Sequence, residues 1–309
     1  MKNSICVIAN PTAGSGRGAK VLASVVAATA SRRNVVVHVT RAPGDETKLA
    51  QRAIAEGASA LIAVGGDGTW SKVATALLQS ERRPPLALIA AGTGNDFAKT
   101  VGAPAGDIAR TLALLDSGET RPVDAGTVDG RFFLVCCGFG FDTAVLKRME
   151  SVRGLRGSAR YVFAALRELS AYDGFDVSIA DEDTAAHSAG KARRLLMLVI
   201  ANAKHYGGAF KIAPRALLTD GLLDAIAVKP LPARRRLSLL LSATRGAHLA
   251  SPAVVATQRS AFELRFPARP MYNLDGDLLQ ARSRALRVEC LPSALTVFAR
   301  RGIAWPDDG

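Results

Sequence analysis

Along the first 120 residues the largely apolar positions gather into short β-rich runs at 4–9, 35–40, 60–64 and 86–90. Between them lie helix-compatible stretches at 18–31, 46–57 and 69–79. Strands that are apolar throughout and separated by helices predict a parallel sheet covered on both faces. Such sheets bind their ligands beyond the carboxyl ends of the strands, and the glycine-rich loops of this chain sit at those ends.

One more helix is expected at 107–117, and then the pattern changes. Runs at 123–128 and 132–136 flank Asp129-Gly130, an Asp-Gly pair that signals a β-hairpin. Further strands are predicted at 175–180, 195–203, 222–228, 261–266, 286–290 and 295–299, with helices near 143–169 and 233–249. The second half therefore reads as a mostly antiparallel β domain with helical excursions.

A length of 309 residues suggests two domains. An apolar fraction of 49% with 22% charged residues argues against a disordered, collagen-like or coiled-coil chain. Cys6, Cys136, Cys137 and Cys290 have no C-x-x-C spacing, so neither a zinc site nor a disulfide framework is expected. The longest apolar run, near 195–203, falls far short of the roughly 20 residues that span a bilayer. The first ten residues hold one lysine and then Asn10, which is not a secretory pattern, so a reducing, cytoplasmic setting is expected.

A net charge of +13 favours polyanionic partners: nucleotide phosphates, anionic lipid head groups or nucleic acid. A generally arginine-rich composition gives part of that excess without any partner. Aromatics make up only 6% and do not interleave with the basic residues, so no nucleic-acid groove is expected. His38, His187, His205 and His248 form no zinc pattern, and nothing resembles G-x-S-x-G.

The chemistry gathers in three loops. Gly65-Gly66-Asp67-Gly68-Thr69 follows one buried strand and opens a helix, where glycines allow close approach and free N–H groups receive phosphate. Asp67 repels phosphate and fits there only with Mg2+ or a hydroxyl between them. Gly92-Thr93-Gly94-Asn95-Asp96 repeats the arrangement after the next strand, and Asn10-Pro11-Thr12-Ala13-Gly14-Ser15-Gly16 follows the first. Neither the P-loop spacing nor G-x-G-x-x-G with a ribose-binding acid is present. Trp70, just past the loop, is expected in the core or against the nucleotide loop rather than in the chemistry.

These loops, with Val123-Asp124-Ala125-Gly126, Gly138-Phe139-Gly140, Asn202, Gly207-Gly208, the stretch from Pro214 to Asp220-Gly221-Leu222-Leu223-Asp224, and Asp275-Gly276-Asp277, run in one order over nearly the whole chain. In this the sequence resembles the diacylglycerol kinase catalytic-domain superfamily of bacterial soluble lipid kinases, sphingosine kinases and ceramide kinases. The resemblance implies an α/β amino-terminal domain like those of phosphofructokinases and NAD kinases, residues 1–122 with 293–309 returning to it. It also implies a β-sandwich lipid-substrate domain, 123–292, with the active site in the cleft between them.

It further implies ATP held by Asn10, Thr40, Gly65, Gly66, Asp67, Gly68, Thr69, Thr93, Gly94 and Asn95. A structural Mg2+ is implied on the Asp220 carboxylate and the Leu217 and Leu222 carbonyls. Asp277 is implied as catalytic base, with Asp67 and Asp96, or Asp124, carrying Mg2+ beside the phosphates. The family's base is the glutamate of D-G-E; aspartate at 277 reaches roughly 1.5 Å less, one C–C bond.

The expected reaction is phosphorylation of a membrane-lipid hydroxyl, most simply that of diacylglycerol, to give phosphatidic acid. Ceramide, a sphingoid base or phosphatidylglycerol are alternative acceptors; an NAD kinase or a non-catalytic nucleotide- or lipid-binding module are alternatives of another class. The protein is then peripheral, at the inner face of the membrane, with a homodimer left open. Lys204, Lys211 and Arg215 lie near the proposed cation loop, and His205 is a candidate substrate contact. Arg234-Arg235-Arg236 opens a leucine-rich helix that suits a bilayer interface, unless its leucines are core. Gly154-Leu155-Arg156-Gly157 with Tyr161-Val162-Phe163 is a second candidate lip.

Overall fold

The computed structural model describes residues 4–103, 106–152, 154, 157–180 and 192–299. Its contacts divide into two units, Met1–Ala125 with Pro292–Gly309, and Gly126–Leu291.

The first unit alternates β1 (Ile5–Ala9), α1 (Arg17–Thr29), β2 (Val35–Val39), α2 (Asp45–Ala55), β3 (Ala60–Gly65), α3 (Asp67–Leu78), β4 (Leu86–Ala90), α4 (Asp96–Thr100) and α5 (Ile108–Ser117). The strands pair in parallel in the order β2-β1-β3-β4. Every residue of β3 and β4 is buried, which is why both read as unbroken apolar runs; β2, at the edge, is only half buried. Val7, Ile62, Val64 and Ile89 meet Val25 of α1 in the core. The end of the chain's final strand joins the far side of β4 in parallel, with Val297 opposite Leu86.

β5 (Thr120–Val128) leads into the second unit and turns at Asp129 (φ 53°) and Gly130 (φ 74°) onto β6 (Arg131–Phe133), the hairpin that an Asp-Gly pair specifies. There follow β7 (Cys136–Gly140), α6 (Phe141–Ser151), α7 (Gly157–Ala171), β8 (Phe175–Ile179), β9 (Arg193–Leu195), β10 (Met197–Ala201), β11 (His205–Tyr206), β12 (Phe210–Lys211) and β13 (Leu223–Val228). Then come α8 (Ala233–Ala243), a 3-10 turn at Ala247–Ala250, β14 (Val254–Arg259), β15 (Ala261–Arg265), β16 (Met271–Leu274), β17 (Asp277–Gln280) and β18 (Ala285–Phe298). One antiparallel sheet has the order β14-β13-β10-β7-β16-β17. Its Phe139, Leu198 and Tyr272 share a core with Val177, Phe262, Leu264 and Val288 from β8, β15 and β18.

The structure departs from the sequence pattern in identifiable places. The helix expected near 143–169 is two, α6 and α7, and the one near 233–249 stops at Ala243 before the 3-10 turn. The strand at 195–203 is broken at Leu196, whose N–H donates to Val228 and whose carbonyl accepts from Phe141. The runs at 286–290 and 295–299 are one strand that passes through Pro292. β7 is hidden by its glycines; a Cβ at Gly138 would lie 1.9 Å from a carboxylate oxygen of Asp142. β14 is an edge strand with an almost wholly exposed face, so it carries no alternation to read.

Candidate active site

Because β1, β3 and β4 are neighbours, the three small-residue loops emerge side by side. A Cβ on Gly14 would lie 2.2 Å from the Ala91 carbonyl oxygen, and one on Gly92 would lie 2.5 Å from Cα of Gly66. Only glycine permits that approach. Asp67 fastens two of the loops: one carboxylate oxygen accepts from the Phe97 N–H at 3.1 Å, and the Asn95 and Asp96 amides also stabilise its charge. Burial nevertheless pushes its pKa up, with those amides opposing the shift. A cation brought beside such a carboxylate is favoured.

Asn95 stands at φ 55° and donates to the Gly92 carbonyl at 3.0 Å. Its buried Oδ1 has no hydrogen-bond partner among the described residues. Asp96 is buried, 3.7 Å from Nζ of Lys99. Asn10 donates to Oε1 of Glu46 (3.1 Å) and Oγ1 of Thr69 (3.4 Å), while its Oδ1 accepts from Thr12. The Thr40 N–H donates to Ala9 at 2.9 Å, next to that hub. Gly65 sits against Thr69, Gly68 and Thr93 are exposed, and Gly94 is half-buried. Trp70 is core, with its indole N–H on Ala63. Asp124 accepts from the Ser293 N–H at 2.7 Å, a bond that fastens the returning chain. Glu46 was visible in the sequence only as a helix start; its link to Asn10 crosses 36 residues. Glycines that tolerate no side chain, an orphaned Asn95 carbonyl oxygen and a buried carboxylate together fit a nucleotide triphosphate with its cation.

In the second unit Asp275 (φ 49°) and Gly276 (φ 97°) form the two-residue turn between β16 and β17, with Leu274 paired to Asp277. The Asp275 carboxylate accepts three backbone N–H groups, from Leu134 (2.8 Å), Val135 (2.9 Å) and Cys136 (3.0 Å). The first aspartate of Asp-Gly-Asp is therefore an anchor. Asp277, the first residue of β17, is exposed, and its carboxylate has no partner among the described residues.

Asn273, on the same hairpin, accepts from the Gly276 N–H at 2.8 Å and donates to Asp142 (3.2 Å) and to the Tyr206 hydroxyl (2.7 Å). Asp142 also receives the Thr143 N–H at 2.8 Å. It is buried, and desolvation raises its pKa to about 6 against those hydrogen bonds. Asp142 and Tyr206 stand on the wall of a narrow apolar slot of about 60 Å3, otherwise formed by residues such as Leu169, Met197, Ile212, Leu240 and Ala243. His248 lines it too; its Nε2 bonds to the Ile212 carbonyl and its buried Nδ1 has no partner among the described residues. Neither the slot nor Asp142 was evident from spacing, although Asp142 lies two residues past Gly140.

A carboxyl whose folded pKa lies above its unfolded value stabilises the fold fully below the unfolded pKa, and that stability is lost as pH rises through the folded one. From pH 4 to pH 6.5 the wild type should therefore lose about 2 kcal/mol relative to Asp142→Asn. Urea unfolding of both at several pH values measures this, and a constant difference contradicts it.

On the loop before β13, Leu217 and Asp220 are exposed and Leu222 is half-buried, its N–H donating to Asp220 at 3.0 Å. Buried Asp224 nearby is raised to about 6, mainly by desolvation and then by the charge of Asp220, which a cation on that loop would relieve. Among the described residues no three His, Cys, Asp or Glu side chains gather as a metal cluster. His205 lies on β11 and half-buried Lys211 on β12, while Lys204 is buried and Arg215 exposed. Leu155, Arg156 and His187, and the side chains of 157–162, lie outside the described residues.

Two family models divide the chain between them: the diacylglycerol kinase catalytic domain over residues 4–128, and the YegS C-terminal NAD kinase beta sandwich-like domain over 136–299. The chain belongs to the diacylglycerol kinase-like lipid kinase family. A Pseudomonas aeruginosa protein named "Probable lipid kinase YegS-like" is 32% identical over 92% of this chain and 90% of its own. The "Diacylglycerol kinase" of Bacillus subtilis is 28% identical over 88% of each. A crystal structure of a diacylglycerol kinase from Bacillus anthracis shares the fold, with a TM-score of 0.71 over 98% of each chain at 21% identity. Yeast NADH kinase shares it more distantly, with a TM-score of 0.57 over 100% of this chain and 86% of its own. No helix among the described residues is long and apolar enough to cross a membrane.

Proposed function

We propose that this lipid kinase transfers the γ-phosphoryl group of ATP to the free hydroxyl of diacylglycerol, giving phosphatidic acid and ADP. The observation that carries the reading is the wiring of the second unit. Asp142 and Tyr206 line an apolar slot, and Asn273 ties these two polar groups to the turn presenting Asp277. An acyl chain in the slot brings a glycerol hydroxyl toward Asp277. A dinucleotide gains nothing from such walls, which favours a lipid over the acceptor of an NAD kinase.

The three glycine loops would receive the phosphates on backbone N–H groups, and the reading requires the Asp277 carboxylate to reach the acceptor hydroxyl beside the γ-phosphoryl group. Asp277 takes the proton of the lipid hydroxyl as its oxygen bonds to γ-phosphorus and the bond to the β-phosphate oxygen breaks. Mg2+, when bound, supplies neutralisation of phosphate charge. Asp67 and Asp96 are the carboxylates that would hold it beside the loops, and Asp220 with the Leu217 and Leu222 carbonyls would hold a structural ion. Asp67 also orders the two loops, so its loss disturbs both roles.

Incubating the protein with Mg2+, radiolabelled ATP and a panel of diacylglycerol, ceramide, sphingosine, phosphatidylglycerol and NAD tests the reading. Label in diacylglycerol supports it; label in another lipid alone reassigns the acceptor, and label in NAD alone or in nothing overturns it. The slot has its own test. Ala243→Phe should raise KM for long-chain diacylglycerol about tenfold or more by filling the space, leaving KM for ATP unchanged. Equal changes in both constants would remove the slot from lipid binding.

A further inference from the structure

We infer that the outer face formed by α7 and α8 is where the protein docks on an anionic bilayer, beside the slot that receives the lipid. This rests on the lipid-kinase reading and assigns its membrane contact. The leucines of α8 divide between two faces. Leu239 and Leu240 turn inward to line the slot, while Leu237 and Leu241 are 41% and 61% exposed. Arg236 also turns inward: its guanidinium donates to the Leu169 and Tyr172 carbonyls at the end of α7 and to Leu231, binding the two helices together. It is not available to a membrane.

Arg234 and Arg235 are exposed, and at helical spacing Arg234 shares the face of Leu237 and Leu241. On α7, Phe163 and Leu166 are 42% and 51% exposed, and the Arg167 guanidinium lies over the Phe163 ring at 5.8 Å. Residues 231–250 contain no acid, and Glu168 of α7 is buried in an ion pair with Arg148. Four large apolar side chains in water flanked by three arginines, with no exposed acid on α8 or among the described side chains of α7, match an apolar interior beneath anionic head groups. Leu169 on the inner side of α7 and Leu240 on that of α8 both line the slot, so the docked face and the slot share their helices.

The test is co-sedimentation with vesicles of phosphatidylcholine alone or mixed with phosphatidylglycerol, without ATP, so that it is read independently of kinase activity. The wild type should sediment with the anionic vesicles. Leu237→Ser/Leu241→Ser should bind them at least about tenfold more weakly. Arg234→Gln/Arg235→Gln should lose about 25-fold on anionic vesicles and nothing on neutral ones, at about fivefold per arginine. Both variants should phosphorylate a dispersed short-chain diacylglycerol at the wild-type rate. If either double variant melts early, Phe163→Ser/Leu166→Ser on α7 tests the same face. Wild-type protein left in the supernatant with both vesicle types, or leucine variants that bind as the wild type does, would overturn the inference whichever lipid is phosphorylated.

Discussion

Asp277→Asn should lower kcat by a factor of about 100 to 10,000, the usual contribution of a positioned general base. The substitution keeps the shape of a side chain that is exposed and whose carboxylate has no hydrogen-bond or ion-pair partner among the described residues, so folding and ATP affinity should hold. The rate measured at saturating ATP and lipid, beside calorimetric ATP binding, separates the two. Because aspartate is one methylene shorter than the family's glutamate, Asp277→Glu should retain activity and raise it if reach limits the rate; a misplacement of order 1 Å can cost about 100-fold. An Asn variant that keeps the wild-type kcat would show that the carboxylate at 277 is not the base.

Asp275→Ala should damage the protein in a different way. Three backbone N–H groups at 2.8–3.0 Å lose a charged acceptor, and the turn that carries Asp277 loses its anchor. We expect a loss of about 2–4 kcal/mol in urea unfolding, since the site is only half-buried, together with a fall in kcat. Asp275→Asn keeps one good acceptor and should recover part of both. Stability unchanged in Asp275→Ala would mean that the hairpin holds itself without the carboxylate.

The two aspartates of one tripeptide thus do opposite work, and the sequence alone does not separate them. Asp129-Gly130 is recognisable as a hairpin because apolar runs flank it. Asp275-Gly276 is the same turn, but β17 is a four-residue edge strand with no alternation, so its periodicity is silent. The inner parallel strands of the first unit, β1, β3 and β4, are legible because burial on both faces makes them apolar at every position. The three loops are legible because glycine stands where a Cβ would strike backbone. The slot is not: Leu169, Met197, Ile212, and Leu240 with Ala243 come from four separate segments, each an ordinary apolar residue in its own setting. The Asn10–Glu46 and Asn273–Asp142 links join residues 36 and 131 positions apart, beyond what local spacing reports. Arg236 looks solvated in sequence beside Arg234 and Arg235, and only the carbonyls at the end of α7 reveal it as a tie between helices.

The account depends on the glycine loops of one unit and the Asp277 hairpin of the other acting on the same phosphoryl group. A crystal structure with a non-hydrolysable ATP analogue and Mg2+ measures this directly. The γ-phosphate should lie on the loops of Gly14, Gly66 and Gly92, with room for one hydroxyl oxygen between its phosphorus and the Asp277 carboxylate. A nucleotide held on those loops with Asp277 on a surface facing away from it, in every copy of the crystal, would contradict the mechanism.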